Sequence, residues 1–145
     1  MKEVTGNIWD FHQQGHWIVI TTNGTVRGDG ACVMGKGVAS QAKIRFLGLP
    51  QKLGKSISKF GNHLVQFVEY EIITFPVKHS WWKKADLVLI ERSTQELVEA
   101  VDKSGISIPI YMVRPGCGNG GLDWKNVKPI IEKYLDDRFV VVELN

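Results

Sequence analysis

The sequence predicts an α/β fold, a largely parallel sheet covered by helices on both faces. Two observations predict it. Stretches rich in β-branched and apolar residues alternate along the chain with stretches of helical periodicity. Two glycine-rich stretches, 28–37 and 116–121, each stand between a strand-like and a helix-like segment.

The elements follow in order. Residues 17–22, Trp-Ile-Val-Ile-Thr-Thr, are β-branched and apolar and read as a buried strand. After the first glycine stretch, 38–46 reads as a helix with Val38, Ala42 and Phe46 on one face. Pro50 opens a second helix over 51–60, stopped by Gly61-Asn62. Residues 64–67 and 69–75 read as two strands of a hairpin. A helix is expected over 94–103. Ser93 or Thr94 would cap it, Glu96 would add early negative charge, and Gly105 follows its end. Residues 106–113 read as a strand, with Pro109 arguing for an edge position or an irregularity. The second glycine stretch leads to a helix over 124–134, with Asp123 as N-cap, and 138–144 is the final strand. There is no repeat, low-complexity tract or linker, so a single domain over 1–145 is expected.

Composition narrows the function classes. A hydrophobic share of 43% and a charged share of 23% exclude a disordered tail and a coiled coil. No apolar run approaches the ~20 residues of a membrane helix, and no membrane partner is expected. Residues 1–7 carry no apolar signal core, so a cytoplasmic location is expected. Cys32 and Cys117, isolated in glycine-rich stretches, are then expected reduced and unpaired, and neither has the neighbours of a zinc site. No metal and no cofactor is expected. Eighteen Lys plus Arg against 15 Asp plus Glu give +3, which suits an anionic ligand without demanding a nucleic acid. Most lysines are scattered and read as a solvated surface.

The glycines carry the chemistry. Of the 15, Gly28, Gly30, Gly35, Gly37, Gly116, Gly118, Gly120 and Gly121 fall in the two strand-to-helix stretches. Glycine lets the backbone turn tightly and approach a ligand. The helix that follows offers unpaired N–H groups and a positive dipole end. Strand, glycine loop and helix N-terminus together make an anion site, and two such sites at the carboxyl ends of strands in one parallel sheet suit a diphosphate. Gly30-x-x-x-x-Gly35-Lys36 nearly spells a P-loop, but Gly37 stands where the metal-binding Ser or Thr is required. The dinucleotide pattern Gly-x-Gly-x-x-Gly also fails, because Val33 holds the third glycine's place.

These residues resemble a known family. Val33-Met34-Gly35-Lys36-Gly37-Val38-Ala39 is similar to the first phosphate loop of macro domains, and Gly116-Cys117-Gly118-Asn119-Gly120-Gly121-Leu122-Asp123-Trp124 to their second. Phe75-Pro76-Val77-Lys78-His79 with Trp81 resembles the F-P-x-K stretch between them, and Gly6-Asn7-Ile8 the start of the fold. The four elements, in order along nearly the whole chain, resemble the branch that holds terminal ADP-ribose glycohydrolases and DNA ADP-ribosyl glycohydrolase antitoxins. The resemblance implies a three-layer α/β/α sandwich with a mostly parallel mixed sheet that binds ADP-ribose at the strand ends. Val33, Met34, Gly35, Lys36, Gly37 and Val38 would hold one phosphate and face the distal ribose. Gly116, Cys117, Gly118, Asn119, Gly120 and Gly121 would cradle the diphosphate from the other side. Ile8 would lie by the adenine, and the Asn7 side-chain oxygen would accept from its N6 amine, without the charge assistance of the usual aspartate.

Within this branch the residue matching Lys78 is implicated as the nucleophile at C1″ of the distal ribose. A lysine attacks only as the neutral amine, which burial or positive neighbours such as His79, Lys83 and Lys84 would favour. Some hydrolases of the branch place an aspartate in the second loop as acid/base partner. Here Gly120 stands there, preceded by Asn119, as in the DNA-directed antitoxins. Asp29 and Asp123 read as a turn residue and a helix cap that also lie near the loops. Trp81 and Trp82 either stack on a base or pack at the mouth of the cleft, Trp124 reads as core, and His12, His16 and His63 read as surface residues.

The expected partner is therefore ADP-ribose or an ADP-ribosylated macromolecule, ADP-ribosylated DNA among them, bound by a monomer. The expected activity is hydrolysis of an ADP-ribosyl linkage on protein, nucleic acid or a small derivative. The alternatives are a non-catalytic ADP-ribose or nucleotide-binding module and an ADP-ribose 1″-phosphate phosphatase.

Overall fold

The computed structural model describes residues 1–145. Its elements are β1 (Lys2–Gly6), α1 (Ile8–Gln13), β2 (Ile18–Asn23), α2 (Gly37–Arg45), α3 (Leu49–Phe60), β3 (Val65–Phe67), β4 (Ile72–Lys78), α4 (Leu87–Ser104), β5 (Ile110–Val113), α5 (Trp124–Glu132) and β6 (Phe139–Leu144). The strands form one sheet in the order β1-β6-β5-β2-β4-β3. Every neighbouring pair is parallel except β3 and β4, which form the expected antiparallel hairpin.

Alternate residues of the central strands point to opposite faces, so each face has its own apolar layer. Val19, Ile73, Phe75, Met112 and Val141 pack with Ile90, Leu97 and Val101 of α4 and Val127 and Ile131 of α5. Ile18, Ile20, Ile72, Val113 and Val142 pack with Ile8 and Trp9 of α1, Ala39 and Ala42 of α2, and Leu49 and Leu53 of α3. The expected α/β/α layering is present. Burying each large aliphatic side chain contributes roughly 1.5–3 kcal/mol, so both layers are needed to hold the sheet.

The structure corrects several expectations. β1 and α1 were not read from the sequence. β1 is an edge strand whose first four residues are all exposed, so it lacks the apolar signature of its partners. α4 begins at Leu87, not at residue 94, because Asp86 is its N-cap and its Oδ1 accepts from the Val88 N–H at 2.9 Å. Ser93 and Thr94 are buried inside the helix, their hydroxyls donating to the Pro76 and Ile90 carbonyls at 2.7 Å each. Pro109 does not mark an edge strand. It lies just before β5, which is central between β6 and β2. Asp123 occupies the N-cap position of α5 without making a side-chain cap bond. His12 is half-buried on α1, its Nε2 2.8 Å from the Tyr70 carbonyl, whereas His63 is exposed as expected, with its Nδ1 2.8 Å from Glu96.

Asp86 does two jobs. It caps α4, and its Oδ2 lies 2.7 Å from His79 Nε2, a hydrogen bond that holds the carboxyl below the usual carboxylate range. Asp86→Ala is expected to cost about 0.5–2 kcal/mol in urea unfolding at neutral pH. The Asp86 contribution is full above the usual carboxylate range and fades as pH falls through the depressed native value, so the gap between wild type and variant closes in acid.

Candidate functional site

The chain winds from β2 to β4 on one side of β2 and later returns to β5 on its other side. β2 leads to α2 in one layer, and β5 leads to α5 in the opposite layer. Two connections that leave adjacent parallel strands for opposite faces open a crevice between them, where ligands of open α/β sheets bind. A cleft of about 770 Å³ lies at this place. Its floor is the carboxyl ends of four strands: Thr21, Thr22 and Asn23 of β2, Val77 and Lys78 of β4, Val113 of β5, and Val142, Glu143 and Leu144 of β6.

The first loop is held from several sides. The Asn23 side chain donates to the Val33 carbonyl at 2.9 Å and accepts from the Thr25 N–H at 2.9 Å. The Val33 N–H donates to the Thr25 carbonyl at 3.0 Å, and the Cys32 N–H to the Pro50 carbonyl of α3 at 2.9 Å. α3 comes so close that a Cβ on Gly54 would lie 1.9 Å from the Gly30 carbonyl oxygen. No side chain caps α2 and no acidic residue sits in its first turn. Gly37, Val38 and Ala39 line the cleft there, so the free N–H groups of the helix start belong to its wall.

The second loop is a turn of 3-10 helix at Gly118–Gly120, closed by Gly121. It is anchored through the Gly120 carbonyl, which accepts from the Ala85 N–H at 2.9 Å just before α4. The two loops meet over the cleft, where a Cβ on Gly37 would stand 2.8 Å from Asn119 Nδ2.

Most of the expected site residues converge. Val33, Gly35, Lys36, Gly37, Val38, Lys78, Gly116, Cys117, Gly118, Asn119 and Gly120 line the cleft. Asn7, Ile8, Met34 and Gly121 do not. Ile8 and Met34 have buried side chains within the α1–α3 layer. The Asn7 Oδ1 caps α1 by accepting from the Trp9 N–H at 3.0 Å. Gly6 pairs with Leu144, which lines the cleft, so Asn7 stands just beyond that end. Asp29 is tied to the Ala31 N–H at 3.0 Å and ion-paired with Arg27, and neither Asp29 nor Asp123 lines the cleft.

The strand-end residues Thr21, Thr22, Asn23 and Glu143, together with Arg27 and Arg114, escaped the sequence reading. Their only signal was position at or just past the end of a parallel strand.

The lining is cationic. Arg27, Lys36, Lys78 and Arg114 stand against Glu143, which pairs with Arg114 at 3.4 Å. Lys78 ends β4, its carbonyl held by Asn62 Nδ2 at 3.0 Å and its Nζ 3.4 Å from the Trp81 carbonyl. Of the charges expected to act on Lys78, His79 is answered by Asp86, and the Lys84 stem lies against Gly121. Burial raises the Cys117 thiol and pushes Cys32 up to about 12, so neither offers a thiolate. No group of three or more His, Cys, Asp or Glu is placed to hold a metal, and no helix is long and apolar enough to cross a membrane.

No family model matches the chain. Among solved structures, the macrodomain of Thermus aquaticus DarG superposes with a TM-score of 0.77 at 26% identity, covering 97% of this chain and 95% of that one. This chain has the macrodomain fold. It is related to the DarG DNA ADP-ribosyl glycohydrolases. A Thermosipho africanus DarTG structure in complex with ADP-ribose shares the fold, with a TM-score of 0.72 at 24% identity over 90% of this chain and 38% of that one. Among curated proteins, the macrodomain is 29% identical over 113 residues to the DNA ADP-ribosyl glycohydrolase of Thermus aquaticus, covering 72% of this chain and 31% of that protein. It is 27% identical over 136 residues to the Thermosipho africanus DNA ADP-ribosyl transferase–DNA ADP-ribosyl glycohydrolase fusion protein, covering 77% and 35%. The macrodomain thus spans about a third of the length of these curated relatives.

The first loop of the macrodomain depends on Asn23. Asn23→Ala removes both side-chain bonds, leaving the Thr25 N–H without its partner and the Val33 carbonyl with only the weak Cys32 Sγ contact at 3.7 Å. The expected cost is about 1–3 kcal/mol, read by urea unfolding, with faster amide exchange over residues 24–36.

Proposed function

We propose that this macrodomain binds ADP-ribose in the cleft and removes it from DNA, with Lys78 as the nucleophile. The carrying observation is the meeting of two glycine loops over one cationic cleft at the switch point of the sheet. Backbone donors of the α2 start and of the second loop suit a diphosphate, and Lys36, which no carboxylate answers, adds charge of the right sign, while Arg27 and Arg114 are already paired with Asp29 and Glu143. Kinship with the DNA ADP-ribosyl glycohydrolase of Thermus aquaticus and the ADP-ribose named with the Thermosipho africanus structure support the choice of ligand and acceptor.

In the proposed reaction the Lys78 amine attacks C1″ of the distal ribose. The bond from C1″ to the acceptor breaks, and the acceptor leaves with a proton. Water then cleaves the C1″–Nζ bond, releases ADP-ribose and restores the amine. Lys78 stands at the end of β4, with its backbone held by Asn62, so the nucleophile starts from an ordered strand rather than a free loop.

A second reading, a binding module without turnover, is favoured by one observation. Glu143 is the only carboxylate in the cleft lining and is engaged by Arg114.

Calorimetry with free ADP-ribose is expected to give one site per chain. No heat and no thermal shift at millimolar ligand would overturn both readings. Wild type is expected to release ADP-ribose from an ADP-ribosylated oligodeoxynucleotide. Lys78→Ala is expected to lose that turnover while still binding ADP-ribose. Undiminished turnover by the variant would remove Lys78 from the chemistry, and binding without turnover by wild type would favour the module.

A further inference from the structure

Trp81, Trp82, Lys83 and Lys84 are four consecutive exposed residues beside the cleft. Trp81 is 50% exposed and Trp82 66%. Neither indole is packed away at the mouth of the cleft, one of the two roles open to them from the sequence. The backbone beneath them is fixed. The Trp81 N–H donates to Thr25 Oγ1 at 2.9 Å, on the first-loop side. The Lys83 N–H donates to the Ser80 carbonyl at 3.1 Å, and the Ala85 N–H to Gly120 of the second loop at 2.9 Å. The Trp81 carbonyl lies 3.4 Å from Lys78 Nζ. A rigid ledge thus runs from one loop to the other, past the proposed nucleophile, with large apolar ring faces left in water.

Its charges are of one sign. Lys83 Nζ lies 5.2 Å from the Trp82 ring centroid, and Lys84 follows. The nearby carboxylate, Asp86, is turned to His79 and the start of α4. Aromatic faces with adjacent ammonium groups are what single-stranded nucleic acid recognises, by stacking its bases and pairing its phosphates. A base inside a duplex has no free face to offer, whereas an unpaired one does.

We propose that this ledge holds the acceptor half of the substrate, an unpaired nucleobase of single-stranded DNA stacked on Trp82 with its flanking phosphates against Lys83 and Lys84. The proposal rests on the reading of the cleft as an ADP-ribose site and extends it to the acceptor. Trp81 lines the cleft as well as the ledge, and so stands where ADP-ribose and acceptor would join.

The test uses the Lys78→Ala protein, so that substrate persists, with and without Trp82→Ala. Affinities are measured for an ADP-ribosylated single-stranded oligodeoxynucleotide, an ADP-ribosylated peptide and free ADP-ribose. Trp82→Ala is expected to raise Kd for the modified oligonucleotide about ten-fold. Free ADP-ribose, whose cleft Trp82 does not line, is expected to bind as before, and Trp82→Phe to retain most of the oligonucleotide affinity. An unchanged oligonucleotide Kd overturns the ledge. Equal weakening of the peptide makes the acceptor a protein, and equal weakening of free ADP-ribose puts the indole in the ADP-ribose site, and either also overturns it. Failure of wild type to bind free ADP-ribose would overturn the cleft reading itself, a result separate from these.

Discussion

The site depends on the side-by-side pairing of β2 and β5. These strands are distant in sequence but adjacent and parallel in the sheet, and their connections leave for opposite layers. The backbone cannot fill the space it opens at such a point, because each connection must climb onto its own face. A cleft is therefore a consequence of the winding. The glycine loops determine what kind of cleft it is.

Those loops are held by close approach rather than by long side chains. Gly54 lets α3 reach the Gly30 carbonyl, and Gly116, at φ +77°, fits against Ile90 and Leu122. A third close contact lies at the end of β4, where Gly24 stands against Asn62 and the His79 carbonyl. Asn62 in turn bonds the Lys78 carbonyl, and its own carbonyl accepts from Arg92 of α4. Loops, nucleophile candidate and longest helix are thus connected by short contacts. A site with so few free torsions loses little entropy on taking up a ligand.

Charge is arranged to match. The cationic groups of the cleft come from both loops and the end of β4, while Glu143 is neutralised locally by Arg114. Burial keeps both cysteines in the thiol form, and Lys78 stands in the cleft lining at the carboxyl end of β4. Two carboxylates beside the loops, Asp29 and Asp86, are engaged in a turn and in a helix cap with an ion pair.

The sequence by itself determined the α/β class, the two glycine loops and the strand before Lys78, which it ended at Phe75, three residues short of the end of β4. Each rests on local physics: β-branched apolar runs, backbone freedom at glycine, and helix periodicity. It misread the start of α4, because Ser93 and Thr94 look like caps until their hydroxyls are seen bonding buried carbonyls of Pro76 and Ile90. It missed β1, because an edge strand with exposed side chains has no apolar pattern to read. It could not rank strand positions: Pro109 suggested an edge or an irregularity, and the tertiary fold put a central strand that starts only after it, at Ile110. Only the tertiary structure decided which strand ends share a cleft, that Asn7 spends its oxygen on α1, and that two tryptophans remain in solvent. These are long-range outcomes, set by which strands pair and which layers pack, and no local pattern of residues encodes them.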